Sequence, residues 1–201
     1  MIRKLPPIAT IVVGLAVLVM IGLGIWQLKR AGEKEALLAR YEAAQNLPPI
    51  SFPTTPIADK DLPLFRHATG MCLRPVGKRV TAGRNQAGES GHAVIIDCAT
   101  GAEGPGISVE LGWSKNPNPA LNWNGGLVSG VIAPDSRNRM RLVAASAPPG
   151  LQPSAPPSTE TIPNNHLFYA VQWFLFALLA ALIYALALRR KWKSDEAAKS
   201  E

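Results

Sequence analysis

Two long uncharged stretches, one near each end of the chain, with short alternating segments between them, predict a membrane α+β fold. We expect two transmembrane helices, one near each terminus, flanking a small antiparallel β domain built as an incomplete barrel or a sandwich. Leu167–Leu188 is a run of 22 residues without a charge, enough at about 1.5 Å per residue to cross about 30 Å of hydrocarbon. Arg189, Arg190, Lys191 and Lys193 follow at once, as expected where a span stops. Residues 29–165, 137 in number, suffice for one modest core and hardly for two.

Residues 1–7 read as a cytoplasmic N-terminus, with Arg3 and Lys4 as its basic flank. The first span is expected over 8–28. A signal peptide shares the basic start, but its apolar middle is about 7–15 residues long and ends at a small-x-small site. Here the apolar run has 21 residues and ends in Trp26-Gln27-Leu28-Lys29-Arg30, so an uncleaved span is the better reading. Gly14, Gly22 and Gly24 permit close approach of a second helix without forming a strict GxxxG face.

Residues 29–60 should form an interfacial helix followed by a proline-rich connector. The helix rests on Glu33–Tyr41, rich in strong helix formers, and the connector on the repeated prolines between Asn46 and Lys60. The β domain is expected over 61–146, with strands near Phe65–Leu73, Arg79–Ala82, His92–Cys98, Gly106–Gly112, Leu127–Ile132 and Met140–Ala145. Residues 147–165 form a second proline-rich connector, 166–188 the second span and 189–201 a cytoplasmic basic tail.

The chain carries a net charge of +7 with a pI near 9.7. Its basic residues gather beside the spans, where anionic lipid accounts for them and nucleic acid is not implied. Comparing flanks, the second span has its basic cluster only at its exit, which keeps both termini cytoplasmic and sends 29–165 outward. Lys29, Arg30 and Lys34 argue the other way for the first span alone. With no Arg- and Ser-rich leading segment before that span, a bacterial inner membrane is expected, with the central domain periplasmic.

Cys72 and Cys98 stand 26 residues apart and form no CxxC. A disulfide closing that loop, if the domain lies outside the cytoplasm, and two buried thiols are both open. His67 and His92 occupy strand positions with no familiar ligand spacing. Arg137, Arg139 and Arg141 alternate along one segment, as a solvated strand face or a surface for an acidic partner. There is no P-loop, dinucleotide fingerprint, HExxH or nucleophile elbow, and the carboxylates are scattered, so no enzyme chemistry is expected.

Antiparallel spans bring the exit of the first beside the start of the second. Trp26, Gln27, Lys29 and Arg30 then share a membrane level with Asn164, Asn165, His166 and Tyr169. At about 100° per residue, His166, Tyr169, Trp173, Ala177, Ala180 and Tyr184 lie on one side of the second helix, where a partner helix or a flat hydrophobic molecule would pack. An imidazole can ligate haem iron, with Lys29 or Arg30 pairing propionates; it can equally cap, hydrogen-bond or pack. Tyr169 and Trp173 serve as well in an interfacial aromatic belt.

Three stretches, GIWQLKRAGEKEALLARY (24–41), GPGISVELGW (104–113) and PNNHLFYAVQWFLFA (163–177), together resemble the Surfeit-locus family of cytochrome c oxidase assembly factors. The resemblance implies a non-enzymatic factor that assists maturation of the haem-copper core subunit, at or just after haem a insertion. A structural membrane adaptor that stabilises an oxidase intermediate without binding haem is the alternative. The implied partners are the oxidase catalytic subunit, the haem a synthesis machinery and membrane lipid. The resemblance further implies that His166 is a haem-contacting residue and candidate iron ligand, with Trp26, Gln27 and Arg30 supporting the same site beside Tyr169 and Trp173. Leu111 departs from the pattern, which commonly has a basic residue before its Gly-Trp, and Cys72–Ala99 looks short for the family.

Overall fold

The computed structural model describes residues 5–101 and 106–197. Arg3 and Lys4 of the basic flank, residues 102–105 before the Gly106 strand and the end of the tail (198–201) lie outside the described residues. The chain divides into two compact units, Met1–Leu37 with Pro163–Glu201, and Leu38–Ile162.

The first unit is built from two helices, α1 (Pro7–Gln45) and α2 (His166–Ala197), each long and apolar enough to cross a membrane. Two such terminal helices around a central domain fit a multi-pass topology. α1 does not break after Leu28. The helix formers of Glu33–Tyr41 continue it, and no proline intervenes before Pro48.

Within this unit the less exposed positions of α1 include Thr10, Val13, Val17, Met20, Gly24 and Gln27, in alternating steps of three and four. Those of α2 include His166, Ala170, Trp173, Ala177, Ala180 and Tyr184, in the same alternation. That is the period of a two-helix seam. Ala170 and Ala177 are buried, and Gly24 is closed over by the ring of Phe174. Small residues at these points let two apolar helices approach closely, where lipid offers no hydrophobic drive.

The second unit contains one open seven-stranded sheet: β1 (Ile50–Ser51), β2 (His67–Cys72), β3 (Arg74–Arg84), β4 (Ser90–Ala99), β5 (Ile107–Ser114), β6 (Gly126–Asp135) and β7 (Arg139–Ala144). The order is β1-β2-β6-β7-β5-β4-β3. Every expected strand is present, and β3 runs well beyond the expected Arg79–Ala82. β1 was hidden in the proline-rich connector, too short to show a period. Four neighbouring pairs are antiparallel, whereas β1–β2 and β5–β7 are parallel.

Only Leu73 separates β2 from β3, although these strands lie far apart in the hydrogen-bonded order. The sheet therefore has to curl. Leu73 N–H donates to Ala99 O at 3.0 Å, and Cys72 is disulfide-bonded to Cys98 with their Cα atoms 5.2 Å apart. The clasp closes one corner and leaves the sheet open. Of the two readings of the cysteines, the disulfide is the one found.

One face of the sheet holds the core, which includes Val94, Ile96, Ile107, Val109, Leu111, Ile132 and Leu142. Phe65 enters it with φ at 63°, an unusual backbone for a bulky residue. Its N–H donates to Ile132 O at 2.7 Å while its ring packs on Tyr41, centroids 4.8 Å apart. Leu111 falls at a β-bulge: Val94 pairs with Gly112 and Ile95 with Glu110, so Leu111 has no opposite residue and turns into the core. A charge there would be buried without a partner.

The proline-rich run after β7 is strapped to the sheet. Gln152 exchanges backbone hydrogen bonds with Trp113 at 2.7 and 2.9 Å, and Ala155 N–H donates to Arg84 O at 2.8 Å.

Candidate functional site

At the start of α2, the carbonyl of Asn165 accepts from Tyr169 N–H at 3.2 Å, so the helix begins on the paired asparagines. His166 is its first residue. Its ring Nδ1 lies 2.8 Å from Gln27 Oε1 on α1. The seam carries Gln27 to this level, three residues after Gly24, whose lack of a side chain allows the close approach. At the far end of the same pair, the hydroxyls of Thr10 and Tyr184 are hydrogen-bonded. Two polar contacts thus fix the register of an otherwise apolar pair.

The other expected site residues are less gathered. Trp26 is 52% exposed and Tyr169 46% exposed, pointing away from the seam. Ala170 takes the seam position that the helical wheel assigned to Tyr169, because a position roughly 60° off the contact line falls at its rim. Trp173 is half-buried, edge-on to Phe176 with centroids 6.2 Å apart. Arg30 is exposed and donates to Glu33 at 2.7 Å. The structure brings Gln27 and His166 together and leaves Trp26, Arg30 and Tyr169 on outward surfaces. α1 itself is the partner helix packed on the expected face.

A second polar group, in the β unit, escaped sequence reading. On the face opposite the core Arg141 Nε donates to Glu110 Oε2 at 2.6 Å, and Arg79 Nη2 to Asp135 Oδ2 at 2.7 Å. Ser108 Oγ donates to Asp97 Oδ1 at 2.6 Å, and Asn138 Nδ2 donates to Ser108 Oγ at 2.7 Å. Arg139 pairs with Asp59. The arginines at 139 and 141 are therefore spent on the chain's own carboxylates. Burial pushes the Asp135 carboxyl up, but the Asn138 amide, Arg79 and Arg141 outweigh it and hold the pKa below the ordinary range. Five strands or their turns contribute, and no local spacing announces it. The one available signal was parity, with Ser108 and Glu110 sharing a face of β5.

Among the described residues no group of three or more His, Cys, Asp or Glu is arranged to hold a metal ion. His67 instead lines a cleft of about 420 Å³ with Thr69, Ser129 and Pro157. The disulfide removes both thiols as ligands.

A pair of membrane-length helices with polar contacts at both ends, and one disulfide-clasped β sheet, define a two-span membrane protein with a single β domain. Residues 14–178 match the SURF1 family model, and the chain belongs to that family. It is also similar to a SURF1-like protein from Monosiga brevicollis, 26% identical over 221 residues that cover 86% of this chain and 84% of the relative. Proteins of this family are non-catalytic assembly factors. Membership is consistent with a role in cytochrome c oxidase assembly and implies contact with its assembly machinery.

Proposed function

We propose that this chain assists maturation of the haem-copper catalytic subunit of cytochrome c oxidase, at or just after haem a insertion. The observation that carries the reading is the Gln27–His166 contact, which joins the first-span and second-span signatures at one end of the helix pair. His166 keeps a second ring nitrogen outside that bond, and the exposed Tyr169 and half-buried Trp173 follow it by three and seven residues along α2. These groups fit a haem, whose iron, when bound, accepts an imidazole lone pair. Trp26 adds apolar surface. Arg30 would exchange Glu33 for a propionate, and an exposed pair of that kind holds it by no more than about 1 kcal/mol.

The chain's own work is to hold and orient. No covalent bond need change; the factor must bind an immature client or cofactor state differently from the mature one. Its partners on this reading are the oxidase catalytic subunit and the haem a synthesis machinery, with lipid around the helices. The basic cluster after the second span supports cytoplasmic termini, and the membrane on this reading is a bacterial inner membrane. The Cys72–Cys98 disulfide supports a periplasmic β domain, since disulfides persist in oxidising compartments.

One observation favours a second reading, a structural adaptor without haem. The α2 face that a flat molecule would cover is already packed by α1 at Ala170 and Ala177. Purification of the full chain in mild detergent, with a haem assay on wild type and His166→Ala, separates the two. The carrier reading expects haem on the wild type and most of it lost from the variant, with oxidase association kept. Wild type that co-purifies with the oxidase core but holds no haem sinks the carrier and leaves the adaptor. Absence of any oxidase intermediate sinks both.

A further inference from the structure

We propose that Gln27 is a positioning residue that sets the tautomer of His166, making Nε2 the ring nitrogen that presents a lone pair. The inference rests on the proposed haem contact for its purpose, but its chemistry stands on the apo protein. A neutral imidazole has one N–H and one lone pair, and the partner of one nitrogen decides the role of the other. Gln27 presents its carbonyl Oε1 to Nδ1 at 2.8 Å. A carbonyl only accepts, so Nδ1 carries the proton and Nε2 does not.

Three features make this a held arrangement. Gln27 and His166 both lie on the seam, partly buried, where a lost hydrogen bond is not simply replaced by water. The helices are drawn together beside them by Gly24, which leaves no room for a side chain under Phe174. The Thr10–Tyr184 contact at the opposite end prevents the pair from sliding out of register. Since Nδ1 is turned towards α1, the lone pair on Nε2 belongs to the side of the ring away from Gln27. The helix pair would then accept an iron through Nε2 alone.

Ring-¹⁵N-labelled full chain in detergent, at about pH 8 and so above the ordinary histidine pKa, reports the tautomer directly. The His166 signals are assigned by their loss in His166→Gln, which separates them from His67 and His92. The expected result is an Nδ1–H tautomer in wild type, retained in Gln27→Glu, which keeps an acceptor oxygen, and lost in Gln27→Leu. Wild type in the Nε2–H form overturns the proposal, as does a Gln27→Leu protein that keeps the Nδ1–H form.

Titration with ferric haem then tests the purpose. Outer partners of ligating histidines typically alter affinity by about 10–100-fold, so Gln27→Leu should weaken binding at least tenfold and Gln27→Glu much less. If wild type shows the Nδ1–H tautomer yet binds no haem, the tautomer assignment holds while the haem reading fails. Equal haem affinity for wild type and Gln27→Leu overturns the positioning role.

Discussion

Arg141 Nε and Glu110 Oε2 meet at 2.6 Å between parallel strands β7 and β5, with the Glu110 side chain only 6% exposed. Arg141 also lies 3.6 Å from Asp135, whose side chain is 2% exposed. Two carboxylates on separate strands thus share two guanidiniums, Arg141 on Glu110 and Arg79 on Asp135 at 2.7 Å, with Arg141 lying between the two acids.

Removing the Arg141 guanidinium should be costly. Arg141→Met leaves Glu110 buried beside an apolar chain, a loss of about 3–5 kcal/mol for a broken buried pair. Urea unfolding of the full chain in detergent, followed by tryptophan fluorescence, measures it. Glu110→Leu with Arg141→Met should recover much of the loss, because no charge is then stranded. A single variant within about 0.5 kcal/mol of wild type, the range of an ordinary surface change, would show that the pair carries no load.

Asp135 sets a pH dependence. Its carboxyl is held below the ordinary value, about 3.9 in an unfolded chain. The stabilisation is therefore complete above that value and is lost as pH falls through the lower folded pKa. The β unit should weaken below about pH 4. Asp135→Asn should be less stable than wild type at neutral pH, with the gap narrowing on acidification. Amide hydrogen exchange along β6 and β7 across that range reads it. A gap that widens towards acid would reverse the sign.

The Cys72–Cys98 bridge closes a loop with a sequence separation of 26. Chain entropy assigns such a closure about 3.5 kcal/mol. Replacing both cysteines with alanine should lower the unfolding midpoint accordingly, and exchange should rise first at the Leu73 amide, whose hydrogen bond to Ala99 O lies beside the clasp. Unchanged protection at that corner would show that the ladder alone closes it.

Gly24 sets the spacing of the helix pair. A Cβ there would lie 2.6 Å from Phe174 Cε1, so Gly24→Leu should overpack the seam at a cost of about 1–3 kcal/mol. Thermal unfolding in detergent, followed by circular dichroism, measures the cost for Gly24→Leu, and Gly24→Leu with Phe174→Ala should recover much of it because the opposing ring is gone. A Gly24→Leu protein as stable as wild type would mean that the glycine does not control the approach.

The two spans were legible because membrane helices are announced by local composition: twenty uncharged residues and a basic flank carry the message without reference to anything distant. The strands from β2 to β7 were legible by alternation and punctuation, and the Gln27–His166 level followed from antiparallel spans alone. The SURF1-type signatures lay in the same local stretches. β1 was missed because two residues between prolines have no period. Arg139 and Arg141 were read as a surface because their carboxylate partners sit up to 80 residues away.

Strand order, the parallel β5–β7 contact, the choice of disulfide over thiols, and the exchange of Tyr169 for Ala170 on the seam belong to the fold. Each depends on which surfaces meet. A strand's alternation says which residues share a face, but not which strand lies beside it. A helical wheel gives angles about one axis, while the line of contact is drawn by the neighbouring helix, here by the notch at Gly24 and the small residues Ala170 and Ala177. Local patterns are written in nearest-neighbour chemistry; pairing is decided by long-range packing, which the linear order of residues does not encode position by position.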